Sequence, residues 1–275
     1  MNFLNLPDTR LAYSTHGTGA PVILIQGVGV AGTAWTPQVE AIGPEFQAVT
    51  YDNRGLGQST PCSGPITIES MAADAQALMD HLGWSTAHVV GHSMGGVIAQ
   101  QLALDAPKRV RSLSLLCTFP RGKDAARPTP RILWMSLRTR LGTRRMRRRA
   151  FLELILAPDE IAQSDTDDLA ARFAPLLGRD LADQPAILMK QLGALGRHDV
   201  LARLGELGGI PTWVASAELD PIAPPEFGRR LADAIPGARF ESFAGVSHAV
   251  TLHQPERINQ ALLAFLRGVE SRADR

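Results

Sequence analysis

The sequence predicts a wound α/β fold, a mostly parallel sheet of eight strands flanked by helices. Short, continuously apolar runs recur along the chain, the pattern of strands buried on both faces of a parallel sheet. Stretches with apolar residues at helical spacing alternate with most of those runs. The alternation lapses once, between about residues 119 and 204, where helical periodicity continues without a strand. That lapse predicts a helical cap inserted after the sixth strand.

Residues 2–6 and 10–16 are β-like and flank the turn-forming Pro7-Asp8, which predicts an antiparallel hairpin at a sheet edge. Residues 21–26, 47–51 and 86–91 follow as more continuously apolar strands, and then 110–117, 210–216 and 238–243. Helices are predicted over 68–82, 95–104, 225–234 and 255–266. The first places Ile68, Met71, Ala75, Leu78, Met79 and Leu82 on one stripe. The inserted stretch is punctuated by Pro128, Pro130, Pro158, Pro175 and Pro185, and residues 269–275 are expected to fray. The predicted division is a core of 1–119 and 205–275 and a cap of 120–204.

Composition narrows the function classes. A chain of 275 residues buries roughly three quarters of its unfolded surface and folds without staples. The formal net charge of +1 gives no basic field for nucleic acid. Cys62 and Cys117 sit at no metal-ligand spacing and read as two reduced thiols. The N-terminus lacks a secretory pattern. No apolar run approaches the ~20 residues that span a bilayer. The expectation is a soluble, cytoplasmic protein with no stable membrane insertion, and a homodimer is left open.

The strongest chemical signal is Gly91-His92-Ser93-Met94-Gly95-Gly96, after an apolar strand and at the start of a helix. That context turns G-x-S-x-G into a mechanism, with the serine held on a tight turn and its hydroxyl exposed. The flanking glycines remove Cβ atoms that would meet the neighbouring strand and helix. A serine hydroxyl needs a base. His248 follows the last strand, at the sheet end where open α/β folds gather their functional groups. His253, five residues on, is the competitor, and His92 reads as packing beside Ser93. Asp220 follows the seventh strand and would orient the imidazole, with Glu218 as its alternative. The chain order Ser, Asp, His fits this arrangement. The oxyanion donors expected are the backbone N–H groups of Met94 and Val28, with Gly27 and Gly29 letting the backbone approach the substrate.

These motifs resemble the α/β-hydrolase superfamily, in the branch of small esterases, enol-lactonases and cofactor-free perhydrolases. The likeness rests on the elbow and on the turn Asp52-Asn53-Arg54-Gly55-Leu56-Gly57-Gln58-Ser59. It rests equally on the acid loop Leu219-Asp220-Pro221-Ile222 with Pro224, and on Gly245 to His248 followed by Pro255. It covers residues 2–116 and 204–266 and is weak over the cap. The resemblance implies an acyl-enzyme mechanism on Ser93 with His248 and Asp220, without metal or organic cofactor, on a small-molecule ester or lactone. Acyl exchange onto peroxide and a non-catalytic ligand-binding role are the alternatives. One departure stands out: relatives end the oxyanion strand in His-Gly, and this chain has Gln26-Gly27. Asp52 and Arg54 read as scaffold.

In the cap, Arg138, Arg140, Arg144, Arg145, Arg147, Arg148 and Arg149 crowd one stretch, and helical spacing would spread their charge around most of a helix. They read either as a solvated face or as a dock for an anionic tail, an acidic membrane surface or an acidic partner. The preceding Ile132, Leu133, Trp134, Met135 and Leu137 would line an acyl pocket or pack the cap, and Trp134 is the substrate contact expected there.

Overall fold

The computed structural model describes residues 1–125 and 129–273. Eight strands form one sheet: β1 (Asn2–Asn5), β2 (Arg10–His16), β3 (Ala20–Ile25), β4 (Phe46–Tyr51), β5 (Ala87–His92), β6 (Val110–Leu116), β7 (Thr212–Ala217) and β8 (Arg239–Phe243). Their order is β1-β2-β4-β3-β5-β6-β7-β8. β1 and β2 pair antiparallel, as do β2 and β4, and every later pairing is parallel. The edge hairpin and the wound sheet are therefore as the pattern predicts. Every residue of β5 and β7 is buried, which explains their unbroken apolar reading.

The helices of the core are α1 (Thr36–Ile42), α2 (Ile68–His81) and α3 (Met94–Asp105), each in a connection between strands. α2 starts on a capping box in which Thr67 and Ser70 exchange side-chain and backbone hydrogen bonds. Its predicted stripe is buried except Leu82, which caps the helix half-buried. α1 and the 3₁₀ turn Gly32–Trp35 before it were not predicted, because seven residues opening on Thr-Pro carry too little periodicity.

Between β6 and β7 the described residues hold helices and no strand: α4 (Gly122–Ala125), α5 (Pro130–Arg138), α6 (Arg144–Ile155), α7 (Pro158–Ala162), α8 (Thr166–Leu177) and α9 (Leu188–Arg197). Pro130 and Pro158 occupy first helical positions, where their missing N–H is harmless. Pro175 lies in the last turn of α8, and Pro128 is outside the described residues. This helical cap has its own apolar centre, with Leu152, Phe173, Leu177 and Leu181 packed together. Ala34 and Ala249 of the core join that centre, so the cap sits over the loops that follow the strands. α10 (Pro225–Ala234), α11 (Val250–His253) and α12 (Pro255–Ala273) complete the fold.

The expected fraying of 269–275 is corrected as far as Ala273. α12 continues because Val269 is buried and Glu270 accepts hydrogen bonds from Arg111 at 3.0 Å and lies 3.0 Å from the His88 ring nitrogen. Residues 274 and 275 are outside the described set.

The cap arginines are also resolved. Arg145 meets Asp165 and Asp167 at 2.7 and 2.5 Å, Arg144 meets Asp183 at 3.0 Å, and Arg138 meets Glu153 at 2.5 Å. Arg148 bridges Asp167 and Asp180, and Arg149 pairs with Glu153. These carboxylates come from α6, from α8 and its N-cap Asp165, and from the turn after α8, so most of the arginine charge is spent inside the cap. It ties α6 to α8 and does not form a bare cationic face.

Candidate active site

The elbow forms because β5 ends against α3 with almost no connecting chain. Ser93 is the single residue between them, with φ 55 and ψ −121, a left-handed backbone that a side chain rarely adopts. The surroundings over-determine it. Its N–H donates to the Leu116 carbonyl at 2.9 Å, and its C=O accepts from Gly96 N–H at 3.0 Å and from the Thr118 hydroxyl at 2.6 Å. A Cβ at Gly91 would lie 2.3 Å from the Gly95 carbonyl oxygen, and one at Gly95 would lie 2.0 Å from that of Ile25. Neither position tolerates a side chain while helix and strands keep this approach.

β7 and β8 deliver two further groups to the same edge. Asp220 follows β7 and is buried; its Oδ1 accepts from the N–H groups of Ile222 and Ala223 at 2.8 and 2.9 Å. Its Oδ2 lies 2.7 Å from His248 Nδ1. With a carboxylate on one side, Nδ1 is the protonated nitrogen and Nε2 is left basic. The two loops are laced together, Leu219 N–H donating to the Val246 carbonyl at 2.8 Å and Gly245 N–H to Glu218 Oε2 at 2.8 Å. Glu218 therefore braces the histidine loop and does not touch the ring. His253 is likewise taken, lying 2.5 Å from Glu160 and 3.2 Å from Arg172 of the cap.

Ser93 and His248 are both buried, each 7% exposed. Among the described residues no hydrogen bond joins Ser93 Oγ to His248 Nε2. Such contacts are often long without substrate and tighten when it binds.

Sequence reasoning placed His92 beside Ser93 as packing, and the structure adds a bond to it. His92 Nε2 donates to the backbone carbonyl of His248 at 2.9 Å, its ring centre is 4.8 Å from that of His248, and Trp35 stands edge-on behind it. Burial, and then the neighbouring His248 charge, push the His92 imidazole down to about 3, so it stays neutral and cannot serve as an acid near neutrality. Cys117, the residue after β6, was read only as a free thiol. It adopts φ 45, and burial first and the Asp220 charge second push its thiol well up. Nothing in the sequence marked it, because strand position 117 became special only through its neighbours in the sheet.

The loop after β3 crosses above the elbow. Gly27 stands over the serine, a Cβ there meeting Ser93 Cβ at 3.0 Å and Oγ at 3.4 Å. Gln26, in the place of the expected histidine, is buried and accepts the Gly27 N–H on its own Oε1 at 3.2 Å, while Asn53 Nδ2 holds the Gln26 carbonyl at 3.0 Å. Gly29 N–H donates to Gln191 of the cap at 2.8 Å. Val28 N–H lies between these two occupied groups and has no partner among the described residues. Met94 N–H heads α3 and, like every first helical N–H, has none within its helix. Asp52 accepts from Gly32 and Gln58 N–H at 2.7 and 2.9 Å, and Arg54 clasps Asp74 with two 2.6 Å bonds, which makes both of them scaffold.

Trp134 is not brought to this cluster. Its ring is 61% exposed on α5 and lines a hollow made of cap residues such as Leu141, Met146 and Thr166. Leu133 and Leu137 are exposed beside it, while Met135 is buried and Ile132 packs half-buried against the apolar centre of the cap. Of the apolar run expected to line an acyl pocket or pack the cap, Ile132 and Met135 pack the cap. Among the described residues no group of three or more His, Cys, Asp or Glu side chains is placed to hold a metal ion. Among the described residues no helix is long and apolar enough to cross a membrane.

A wound parallel sheet with a serine elbow and a carboxylate-bound histidine at its carboxyl edge defines a hydrolase of the α/β class. The chain belongs to the alpha/beta hydrolase fold family, whose model matches residues 20–255. It is 31% identical, over 94% of its length and 95% of the relative's, to a protein of Azorhizobium caulinodans named as a carbamate hydrolase. It is also 31% identical to a protein of Mycobacterium tuberculosis named as a non-heme bromoperoxidase, covering 95% of this chain and 99% of that one. Among solved structures, the enol-lactonase from Burkholderia xenovorans LB400 is similar at TM-score 0.80 and 26% identity, covering 97% of this chain and 100% of that one.

Proposed function

We propose that the protein is a serine hydrolase that cleaves a carboxylic ester or lactone through an acyl-enzyme. One observation carries this reading: His248 Nδ1 is held 2.7 Å from Asp220 Oδ2 at the same sheet edge as a serine in an elbow. Ser93 is the nucleophile and His248 Nε2 takes its proton as Oγ attacks the acyl carbon. Asp220 stabilises the imidazolium that results. The Val28 and Met94 N–H groups receive the oxyanion. The proton then passes from His248 to the leaving alkoxide, the C–O bond breaks, and the alcohol departs. Water repeats the sequence on the acyl-enzyme, releasing the acid and restoring the serine. The substrate is a small molecule, the site is cytoplasmic, and the domain division is a core of 1–119 and 205–275 with a cap of 120–204.

The relative named as a bromoperoxidase supports a second reading, in which hydrogen peroxide in place of water takes the acyl group as a peracid. A fluorophosphonate probe is expected to label Ser93, and Ser93→Ala is expected to abolish both labelling and hydrolysis of p-nitrophenyl butyrate. Labelling that survives in the alanine variant refutes the nucleophile. Wild type that neither labels nor hydrolyses leaves only a ligand-binding protein. Peracid formation from acetate ester and peroxide, measured alongside, separates the second reading from the first.

A further inference from the structure

Resting on that reading, we propose that Gln191, a residue of the cap, is a positioning residue for the oxyanion hole. The donor loop is not held by the sheet alone. Gly29, the residue after the proposed donor Val28, is gripped on both sides of its peptide by the cap. Its N–H donates to Gln191 Oε1 at 2.8 Å, and its carbonyl accepts from Arg179 Nε at 3.4 Å. Pro185 and Leu188, also of the cap, lie directly against it. Gln191 is fully buried, and its Nε2 group has no hydrogen-bond partner among the described residues. A buried carboxamide with an unmet donor is expensive to keep. Its retention here is explained if the acceptor end is needed where it is. Gly27 N–H is occupied by Gln26 and Gly29 N–H by Gln191, so the peptide of Val28 is fixed at both neighbours and its own N–H is left to face substrate. The side chain acts through the loop; it is not itself a catalytic group.

Two exchanges separate positioning from packing. Gln191→Met keeps length and apolar volume but removes the acceptor. Gln191→Glu keeps an acceptor for Gly29 N–H and brings a titratable carboxyl within a few ångströms of the Val28 peptide. With p-nitrophenyl butyrate, Gln191→Met is expected to lower kcat about 10- to 100-fold with KM nearly unchanged, approaching the loss seen when an oxyanion donor is removed. Gln191→Glu is expected to recover most of that rate at low pH. Its rate then falls by about tenfold or more as the carboxyl ionises, since a negative charge there opposes the developing oxyanion. Wild type has no carboxyl at this position and shows no such fall. A side chain that only packs would lower the melting temperature in both variants and leave the pH profile of the folded enzyme unchanged.

Gln191→Met with wild-type kcat overturns the proposal, and so does a Gln191→Glu profile that superimposes on wild type. Should the methionine variant not fold, the glutamate profile decides alone. Wild type that Ser93-directed fluorophosphonate does not label removes the hydrolase reading itself, and this inference with it. Activity in wild type with no effect at position 191 removes this inference only.

Discussion

Gly27→Ala isolates the space above the nucleophile. A methyl group at 27 would sit 3.0 Å from Ser93 Cβ and 3.4 Å from both Ser93 Oγ and the His92 carbonyl oxygen. Gly27 is not among the glycines with positive φ, so alanine fits its backbone. One carbon–carbon contact shorter than the optimum of roughly 3.5–4.0 Å asks for a shift of a few tenths of an ångström. Mild overpacking of that kind costs about 1 kcal/mol. The restricted unfolded chain returns roughly 0.4–1 kcal/mol. The melting temperature is therefore expected to move by no more than about 4 °C. Activity has no such tolerance. A reacting acyl carbon must come within roughly 3–3.5 Å of Oγ, the region the methyl enters, and any retreat of residue 27 carries the Val28 donor with it. Loss of one oxyanion donor alone costs about 10²–10³ in kcat. The expected result is at least a ~100-fold fall in kcat/KM for p-nitrophenyl acetate in a protein that unfolds normally. Gly95→Ala is the contrast, because a Cβ 2.0 Å from the Ile25 carbonyl should prevent the elbow from forming. A Gly27→Ala variant within threefold of wild type would refute both the direction of substrate approach and the placing of the oxyanion loop.

Two further outcomes follow from the electrostatics. Burial holds His88 down at about 4 despite Glu270, and His92 down at about 3, against an ordinary 6.5. The unfolded chain thus binds more protons between these values, and stability present above about pH 6.5 is lost as pH falls toward 4, at about 1.4 kcal/mol per unit of depression for each ring. Thermal midpoints recorded from pH 8 to pH 4.5 should fall steeply below 6.5, and a flat profile would sink the assignment of both rings as buried and neutral. Arg148→Met, which unties Asp167 from Asp180, should make the cap open to trypsin earlier than wild type, most of all at low salt where the lost pairs are least screened. Equal digestion rates would mean the arginine network adds nothing to cap order.

The sheet and the three candidate catalytic side chains were legible because each is marked by local pattern. β5 and β7 are unbroken apolar runs, Ser93 sits in a glycine-framed elbow, and Asp220 and His248 each follow a strand. What escaped depends on approach between distant segments. Cys117 became part of the site because β6 lies between β5 and β7, an order the chain does not spell out. Gln191 lies 162 positions from the loop it holds, on a helix whose exposed Met189 and Leu192 gave no hint of a partner inside. Trp134 misled for the opposite reason: an aromatic in an apolar run has no local sign of facing outward. The α12 extension was missed because Glu270 is polar in sequence and anchored only by Arg111 and His88 in the fold.

The site is thus assembled from two supports of different stiffness. Ser93 N–H is bonded to Leu116 and Cys117 N–H to Ala215, which carries the parallel ladder one residue past each strand and into both left-handed residues. Each of those conformations costs on the order of 1–3 kcal/mol and persists only where neighbours fix it, as the sheet does here. The other half hangs from the cap. Gly29 is held by Gln191, and Ala249, next to His248, donates its N–H to the Ile155 carbonyl at 2.9 Å. With Ser93 and His248 each only 7% exposed, the nucleophile is fixed by the sheet while the loops beside it depend on contacts with the cap.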